Sequence, residues 1–220
     1  MEEVFPGVFR QGEKLFTRNL VPGTRVYGEK VVEEEGREFR QWDFFRSKLA
    51  ASIKNGLAEM PIKPGSTVLY LGAAEGTTVS HVSDLVGGKG LVFGVDISER
   101  VMRKFITVCE QRRNVIPIIA DANKPWAYKE FLEGRKIDVL FQDVAQPNQA
   151  QIFLKNGGQF LEKGRKGMLV VKAKSISQKS DVAGIFGKEL ALLSEQFDVK
   201  QIVNLKPFEK DHVLALCEKI

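Results

Sequence analysis

Four apolar runs in this sequence end in a charged side chain. LVFGV ends in Asp96, VIPII runs through Ala120 to Asp121, IDVLFQ is followed by Asp143, and GMLVV by Lys172. If these runs are parallel strands, their carboxyl ends face the crevice where open α/β sheets bind ligands. A carboxylate about 20 residues beyond a glycine turn, as Asp96 is, accepts hydrogen bonds from ribose hydroxyls. The alternative for Asp96, or for Ser98, is a helix N-cap. A carboxylate at Asp121 can bind an adenine amino group. Three acids in register favour an adenosine-containing cofactor, and S-adenosylmethionine and NAD both satisfy that description. Lys172 is costly at the end of an apolar strand unless it is paired or functional. Asp143, ending the neighbouring strand, can supply the pairing charge.

A fifth feature precedes these. The run TVLYL leads into GAAEGTTVSHV. Gly72 and Gly76, flanking Ala73, let the backbone turn sharply and approach a ligand closely, because neither carries a Cβ. Thr77 and Thr78 then open a helix, where hydroxyls and free backbone N–H groups can hold a carboxylate. The spacing is not GxGxxG, and a purely structural turn is the competing reading. His81 falls mid-helix and reads as packing or surface. Cys109 and Cys217 are unclustered in apolar-patterned segments, which predicts free thiols and no metal site.

Positioning these residues requires a regular frame. From TVLYL onward, strand and helix patterns alternate. Helices are expected over Thr77–Val86, Arg100–Gln111, Gln149–Leu161 and Asp181–Ser194, with Tyr128–Leu132 between two strands. This predicts a parallel sheet covered on both faces. The last two runs, FDVKQIVNL and HVLALCEK, are joined by KPFEKD, too short for a helical crossover, so they should form an antiparallel hairpin at the sheet edge. A doubly wound sheet closing on a reversed strand resembles the methyltransferase variant of the Rossmann architecture. The first forty-odd residues differ. GVFRQ, KLFTR, TRVYG, EKVVEE and EFRQW are short β-type runs broken by glycines, predicting a small antiparallel sheet that must pack on something. A helix is expected from Phe44 to Leu57, with Phe45, Leu49, Ile53 and Leu57 at helical spacing. The domains are therefore a β unit over 1–43 and an α/β unit over 44–220.

Bulk properties are compatible with this frame. The chain has 220 residues, 43% hydrophobic, with a net charge of +5. Residues 1–60 carry ten basic and ten acidic side chains, so the excess lies later in the chain. Such mild basicity permits a phosphate-rich partner without requiring one. No stretch approaches the roughly 20 apolar residues of a membrane span. MEEVFPGVFRQGEK does not read as a secretory signal, and a reducing cytoplasmic location is expected.

Several segments are more specific. NLVPGTRVYGEK, FRQW, RSKLAASI, KPGSTVLYLGAAEGTT, QDVAQPNQA, VVKAKSIS and FEKDH resemble the fibrillarin family. The resemblance runs from about Phe5 to the C-terminus. Without a Gly/Arg-rich N-terminal tail, the chain resembles the shorter archaeal form. The resemblance implies S-adenosylmethionine contacts from Thr77 and Thr78, Asp96 and Ile97, Asp121 and Ala122, and Asp143, Val144, Ala145 and Gln146. Three departures stand out. Asp96-Ile97 replaces the usual Glu-Phe, so the carboxylate is one methylene shorter and the ring against adenine is lost, but Asp can still bind ribose hydroxyls and binding is expected to survive. Glu75 stands where a small residue is common, and is expected to point to solvent. Phe45 replaces a proline.

The resemblance also implies a Lys-Asp-Lys-His catalytic set, matched by Lys48, Asp143, Lys172 and His212. Without it, Lys48 reads as a solvent-facing helix lysine and His212 as structural. It implies 2′-O-methylation of ribosomal RNA and, in archaea, transfer RNA. A C/D box guide RNA would direct the reaction, with a Nop-domain scaffold protein and a kink-turn-binding ribosomal-type protein as partners and no membrane. Three rival classes compete. A NAD-dependent oxidoreductase does not explain the terminal hairpin or QDVAQP. A non-catalytic RNA-assembly subunit would not need Lys172 and Asp143. A small-molecule O-methyltransferase would not need the N-terminal β unit.

Overall fold

In the computed structural model, residues 1–179 and 181–220 are described. Five short strands come first: β1 (Glu2–Phe5), β2 (Val8–Gln11), β3 (Lys14–Arg18), β4 (Val31–Glu34) and β5 (Arg37–Trp42). They form an antiparallel sheet in the order β1-β2-β3-β5-β4. β1 was not among the expected runs. TRVYG, which was, forms no strand: the buried Glu29 carboxylate takes the backbone N–H groups of Val26 and Tyr27 that a neighbouring strand would have used.

The remaining strands are β6 (Thr67–Leu71), β7 (Leu91–Asp96), β8 (Val115–Ile119), β9 (Ile137–Gln142), β10 (Leu161–Lys172), β11 (Phe197–Asn204) and β12 (His212–Lys219). Their order is β11-β12-β10-β9-β6-β7-β8. β6 to β10 run parallel, and β12 is antiparallel to both neighbours. The terminal hairpin thus lies at the edge, as the short KPFEKD connection requires. Strand residues alternate between two cores. Val68, Tyr70, Phe141 and Val170 face one side. Leu69, Leu71, Leu140 and Val171 face the other. Both faces are covered, which is why these strands read as unbroken apolar runs.

The helices are α1 (Lys48–Lys54), α2 (Thr77–Val86), α3 (Glu99–Gln111), α4 (Gln149–Phe160), α5 (Ala173–Ile176) and α6 (Val182–Leu193). Among the described residues, none is long and apolar enough to cross a membrane. α1 starts four residues later than Phe44. The Asp43 side chain accepts the Phe45 N–H in a local turn, and Ser47 then caps the helix by accepting from Ala50 N–H. Phe45 is left exposed, edge-on to Phe208. Leu57 is buried beyond the helix end, past a C-cap at Asn55. Cys109 and Cys217 are free thiols, and burial pushes each up to about 12.

The N-terminal sheet is fastened to α2 by buried charge. Arg40 lies 2.6 Å from Glu29 and 2.8 Å from Asp84, and Arg112 lies 2.6 Å from the other Asp84 oxygen. The Thr17 hydroxyl and the Leu20 N–H also donate to Asp84. His81 is fully buried, not at the surface. It bridges Thr17 and the Tyr27 hydroxyl, both at 2.7 Å, and stacks on Trp42. Burial, reinforced by Arg40 and Arg112, holds its imidazole well below the usual histidine range, so it stays neutral. Breaking a buried ion pair leaves an uncompensated charge and costs about 3–5 kcal/mol. Asp84→Ala strips two guanidinium groups of their shared anion, so a loss of at least about that size is expected in urea denaturation. A loss below about 1 kcal/mol, the range of a surface pair, would show that the network does not hold the two sheets together.

Candidate active site

The strand order reverses between β6 and β9, and this switch point is where a crevice opens. Its narrowness depends on Gly72, at φ +87°, directly after β6. A Cβ there would lie 2.7 Å from the Asp143 carbonyl oxygen, so only glycine lets the two strand ends come together. Asp143 N–H in turn donates to the Leu71 carbonyl at 2.9 Å.

A cavity of about 310 Å³ sits at these strand ends. It is lined by Gly72, Ala74, Val95, Asp96, Ile97, Ala120, Ala122, Asp143, Val144, Ala145, Gln146 and Lys172. Eight of the thirteen residues expected at a cofactor site are in that lining. Asp96 is anchored by backbone: its oxygens accept the Ala74 and Ser98 N–H groups, both at 2.9 Å. A carboxylate has about four lone-pair sites, so each oxygen keeps capacity for a hydroxyl. Ile97 is more than half exposed on the rim.

Five expected residues are not in the lining. Asp121 lies at the loop after β8, where one oxygen accepts from Asn123 N–H and Nδ2. Asn123 also donates to Gln146 and accepts from Asn148, tying this loop to the one after β9. Ala73 and Gly76 are buried in the turn, and Gly76 serves as the N-cap of α2. The Thr78 hydroxyl donates to Ser47 at 3.1 Å. Thr77 lines a neighbouring cleft with Arg25, Arg46 and Lys104. Glu75 points outward, 2.7 Å from Lys104 and half exposed.

At the inner end of the cavity the charges form a ladder. Lys172 Nζ lies 2.8 Å from Asp143 Oδ1 and donates to the Asp143 carbonyl at 2.8 Å. Lys48 Nζ lies 3.4 Å from Asp143 Oδ2 and 3.5 Å from Glu209 Oε1. His212 Nδ1 contacts the Lys210 carbonyl and lies 3.8 Å from Glu209 Oε2. All four residues of the expected catalytic set are therefore in one cluster. Lys48 begins α1, so its side chain leans back over the helix start and inward. Lys172 is fixed by its backbone: Gln149 Oε1 accepts its N–H at 2.8 Å, and Gln149 Nε2 reaches its carbonyl at 3.3 Å. His212 is the register partner of Lys172 across β10 and β12.

The profile of the Fibrillarin family matches residues 1–220. The chain belongs to the fibrillarin family. It is 49% identical over 220 residues to the fibrillarin-like rRNA/tRNA 2′-O-methyltransferase of Pyrococcus furiosus, covering 98% of this chain and 96% of that protein. Its fold matches Aeropyrum pernix fibrillarin, solved with natively bound S-adenosyl-L-methionine, with a TM-score of 0.90 and 39% identity. That match covers 98% of this chain and 96% of the other. It also matches a chain of a fibrillarin/Nop5p complex, with a TM-score of 0.91, 33% identity and full coverage of both.

The sequence alone did not disclose Glu209. FEKDH was legible as a family segment, but nothing in a loop carboxylate announced that it would stand between Lys48 and His212. Gln149, inside QDVAQPNQA, was missed for the same reason. Burial would lower the Lys48 pKa, but Asp143 and then Glu209 overcome this and hold it above the ordinary 10.5. A raised pKa adds stability that is fully present below the unfolded value and is lost as pH rises through the folded one. Lys48 is therefore expected to stay protonated through pH 10.5 and to add stability until alkaline pH beyond it. Carbon-detected NMR of labelled lysine side chains measures this. A midpoint at or below 10.5 would mean that the two carboxylates do not govern Lys48.

Proposed function

We propose that this chain is an S-adenosylmethionine-dependent RNA 2′-O-methyltransferase acting on ribosomal and transfer RNA. The observation that carries the reading is the Asp143–Lys172 pair, 2.8 Å apart at the wall of a cavity whose far end is the Asp96 carboxylate. One cavity thus offers hydroxyl acceptors at one end and the Asp143 carboxylate at the other, a set that fits a nucleoside joined to a cationic, reactive tail. S-adenosylmethionine, when bound, supplies a methyl group already activated by its sulfonium. Asp96 would hold the ribose hydroxyls, and the uncapped start of α2 at Thr77 and Thr78 would hold the methionine carboxylate.

What remains for the protein is to align the acceptor and help its proton leave. A ribose 2′-hydroxyl is a poor nucleophile while protonated. Lys172, fixed by Gln149, would stabilise negative charge developing on that oxygen. Asp143 orients the lysine and is placed to receive the proton. Lys48 and His212 would hold the ribose or an adjoining phosphate. Alignment alone can supply up to roughly 7–11 kcal/mol of the barrier.

The reading extends to the partners. A Nop-domain scaffold, a kink-turn-binding ribosomal-type protein and a C/D box guide RNA would form the working particle. The complex of a related fibrillarin with Nop5p supports the scaffold. Phosphate contacts made by a chain of net charge +5 would be salt-sensitive and sequence-blind, so the chain alone would not select a position.

Lys172→Ala is expected to fold and bind cofactor normally, but to transfer methyl groups about 100-fold more slowly or worse, the scale for losing one donor at a developing oxyanion. Single-turnover kinetics decide it, and a near-wild-type rate would remove Lys172 from the mechanism. For the function as a whole, labelled cofactor is supplied to a reconstitution with one component omitted at a time, and the product nucleotide is mapped. Site-specific methylation is expected only with scaffold, kink-turn binder and guide RNA together. Efficient single-site methylation by the isolated chain would instead indicate a stand-alone enzyme.

A further inference from the structure

Glu209 does not line the cavity, yet it lies against two of the four catalytic-set residues. It lies in the loop between β11 and β12, on a turn where its N–H donates to the Leu205 carbonyl at 3.0 Å. One carboxylate oxygen is 3.5 Å from Lys48 Nζ, and the other is 3.8 Å from His212 Nδ1. The side chain is 29% exposed, shielded enough that its charge is not fully screened.

The distances separate two kinds of pairing. Lys172 Nζ meets Asp143 Oδ1 as an ion pair at 2.8 Å, while its directed hydrogen bond goes to the Asp143 carbonyl, also at 2.8 Å. Lys48 sits 3.4 Å from Asp143 and 3.5 Å from Glu209, held close by neither. Glu209 therefore pulls Lys48 against Asp143 and keeps it from closing on that carboxylate. Were Lys48 to close, two ammonium groups would share Asp143 at hydrogen-bond range, and the nearer second positive charge would make the carboxylate a weaker proton acceptor. The same carboxylate faces the Nδ1 side of His212, whose hydrogen goes to the Lys210 carbonyl. Nε2 is then the edge left for substrate. The neighbouring Asp211, at φ +57°, turns the chain so that its carbonyl accepts from Ala173 N–H, next to Lys172. One loop thus serves both lysines and the histidine.

We infer that Glu209 is a positioning residue of the methyl-transfer site: it holds Lys48 midway between two carboxylates. This rests on the proposed reaction, but the placement itself is testable without it. Glu209→Gln keeps the shape and removes the charge, and Glu209→Asp keeps the charge on a shorter arm. The isolated Glu209→Gln chain is expected to show, by crystallography, Lys48 drawn to within hydrogen-bond range of Asp143. Its affinity for S-adenosylmethionine should stay within about twofold of wild type, because Glu209 lies outside that cavity. In the assembled particle, kcat should fall about tenfold with KM for RNA unchanged, and Glu209→Asp should recover part of the loss. Lys48 unmoved in the Glu209→Gln structure would overturn the placement. Equal kcat in wild type and Glu209→Gln, a loss confined to KM, or equal impairment by Gln and Asp would overturn the catalytic role. If the wild-type particle methylates nothing, the proposed reaction fails while the Lys48 displacement still decides whether Glu209 positions it.

Discussion

Two ammonium groups from elements far apart in sequence reach one carboxylate. Lys48 arrives from the first turn of α1 and Lys172 from the last residue of β10, and Asp143 stands between them at the end of β9. Both lysines are largely shielded from water, and without that anion each would be a partly desolvated, unpaired charge, which is unfavourable. Nor would Asp143 be placed correctly without the backbone beneath it. Its position follows from Gly72, which admits the Asp143 carbonyl where any side chain would push it away. A conformational property of one residue thus determines where a charge stands, and the charge determines which cations can gather around it.

The N-terminal sheet bears on this cluster through the chain that leaves it. β5 ends at Trp42, whose ring packs on the buried His81, and the next residues form the Asp43 turn and the Ser47 cap before Lys48. Asp84 fastens the sheet to the far end of α2, and the near end of α2 is the Thr77-Thr78 turn. The same helix therefore connects the small sheet to the cofactor side of the cavity, while β5 connects it to the acceptor side. Thr78 joins the two directly through its hydrogen bond to Ser47.

The parts of the fold that the sequence disclosed are those decided by local pattern. Buried parallel strands must be apolar on both faces, so TVLYL, LVFGV and VIPII announced themselves. A charged residue closing such a run has few structural reasons to be there, which made Asp96, Asp143 and Lys172 visible. The hairpin was legible because six residues cannot span a parallel crossover. TRVYG misled because its β-type composition said nothing of Glu29 competing for its N–H groups. The α1 start was obscured because Phe45 kept helical spacing while Asp43 and Ser47 decided the boundary. Lys48, His212 and their roles came through family resemblance alone. Each is brought to the site by pairings distant in sequence, and no local pattern encodes those. Glu209 lay beyond both signals: its segment was familiar, but its partners are fixed only when the β11–β12 loop folds over α1.

The two halves of the site are built from different materials, and this affects how each can respond to a ligand. On the cofactor side, Asp96 is held by backbone N–H groups and Gly72 by a backbone contact, so that wall moves only if strand ends move. Packed sheets resist such displacement. On the acceptor side, Glu209 lies 3.5 Å from Lys48 and 3.8 Å from His212, longer than strong charge-assisted hydrogen bonds. These contacts can be exchanged for contacts to an incoming hydroxyl or phosphate by side-chain rotation, with the backbone unchanged. A rigid cofactor wall facing an adjustable acceptor wall suits a reaction in which one ligand is always the same and the other is a ribose in any of many sequences.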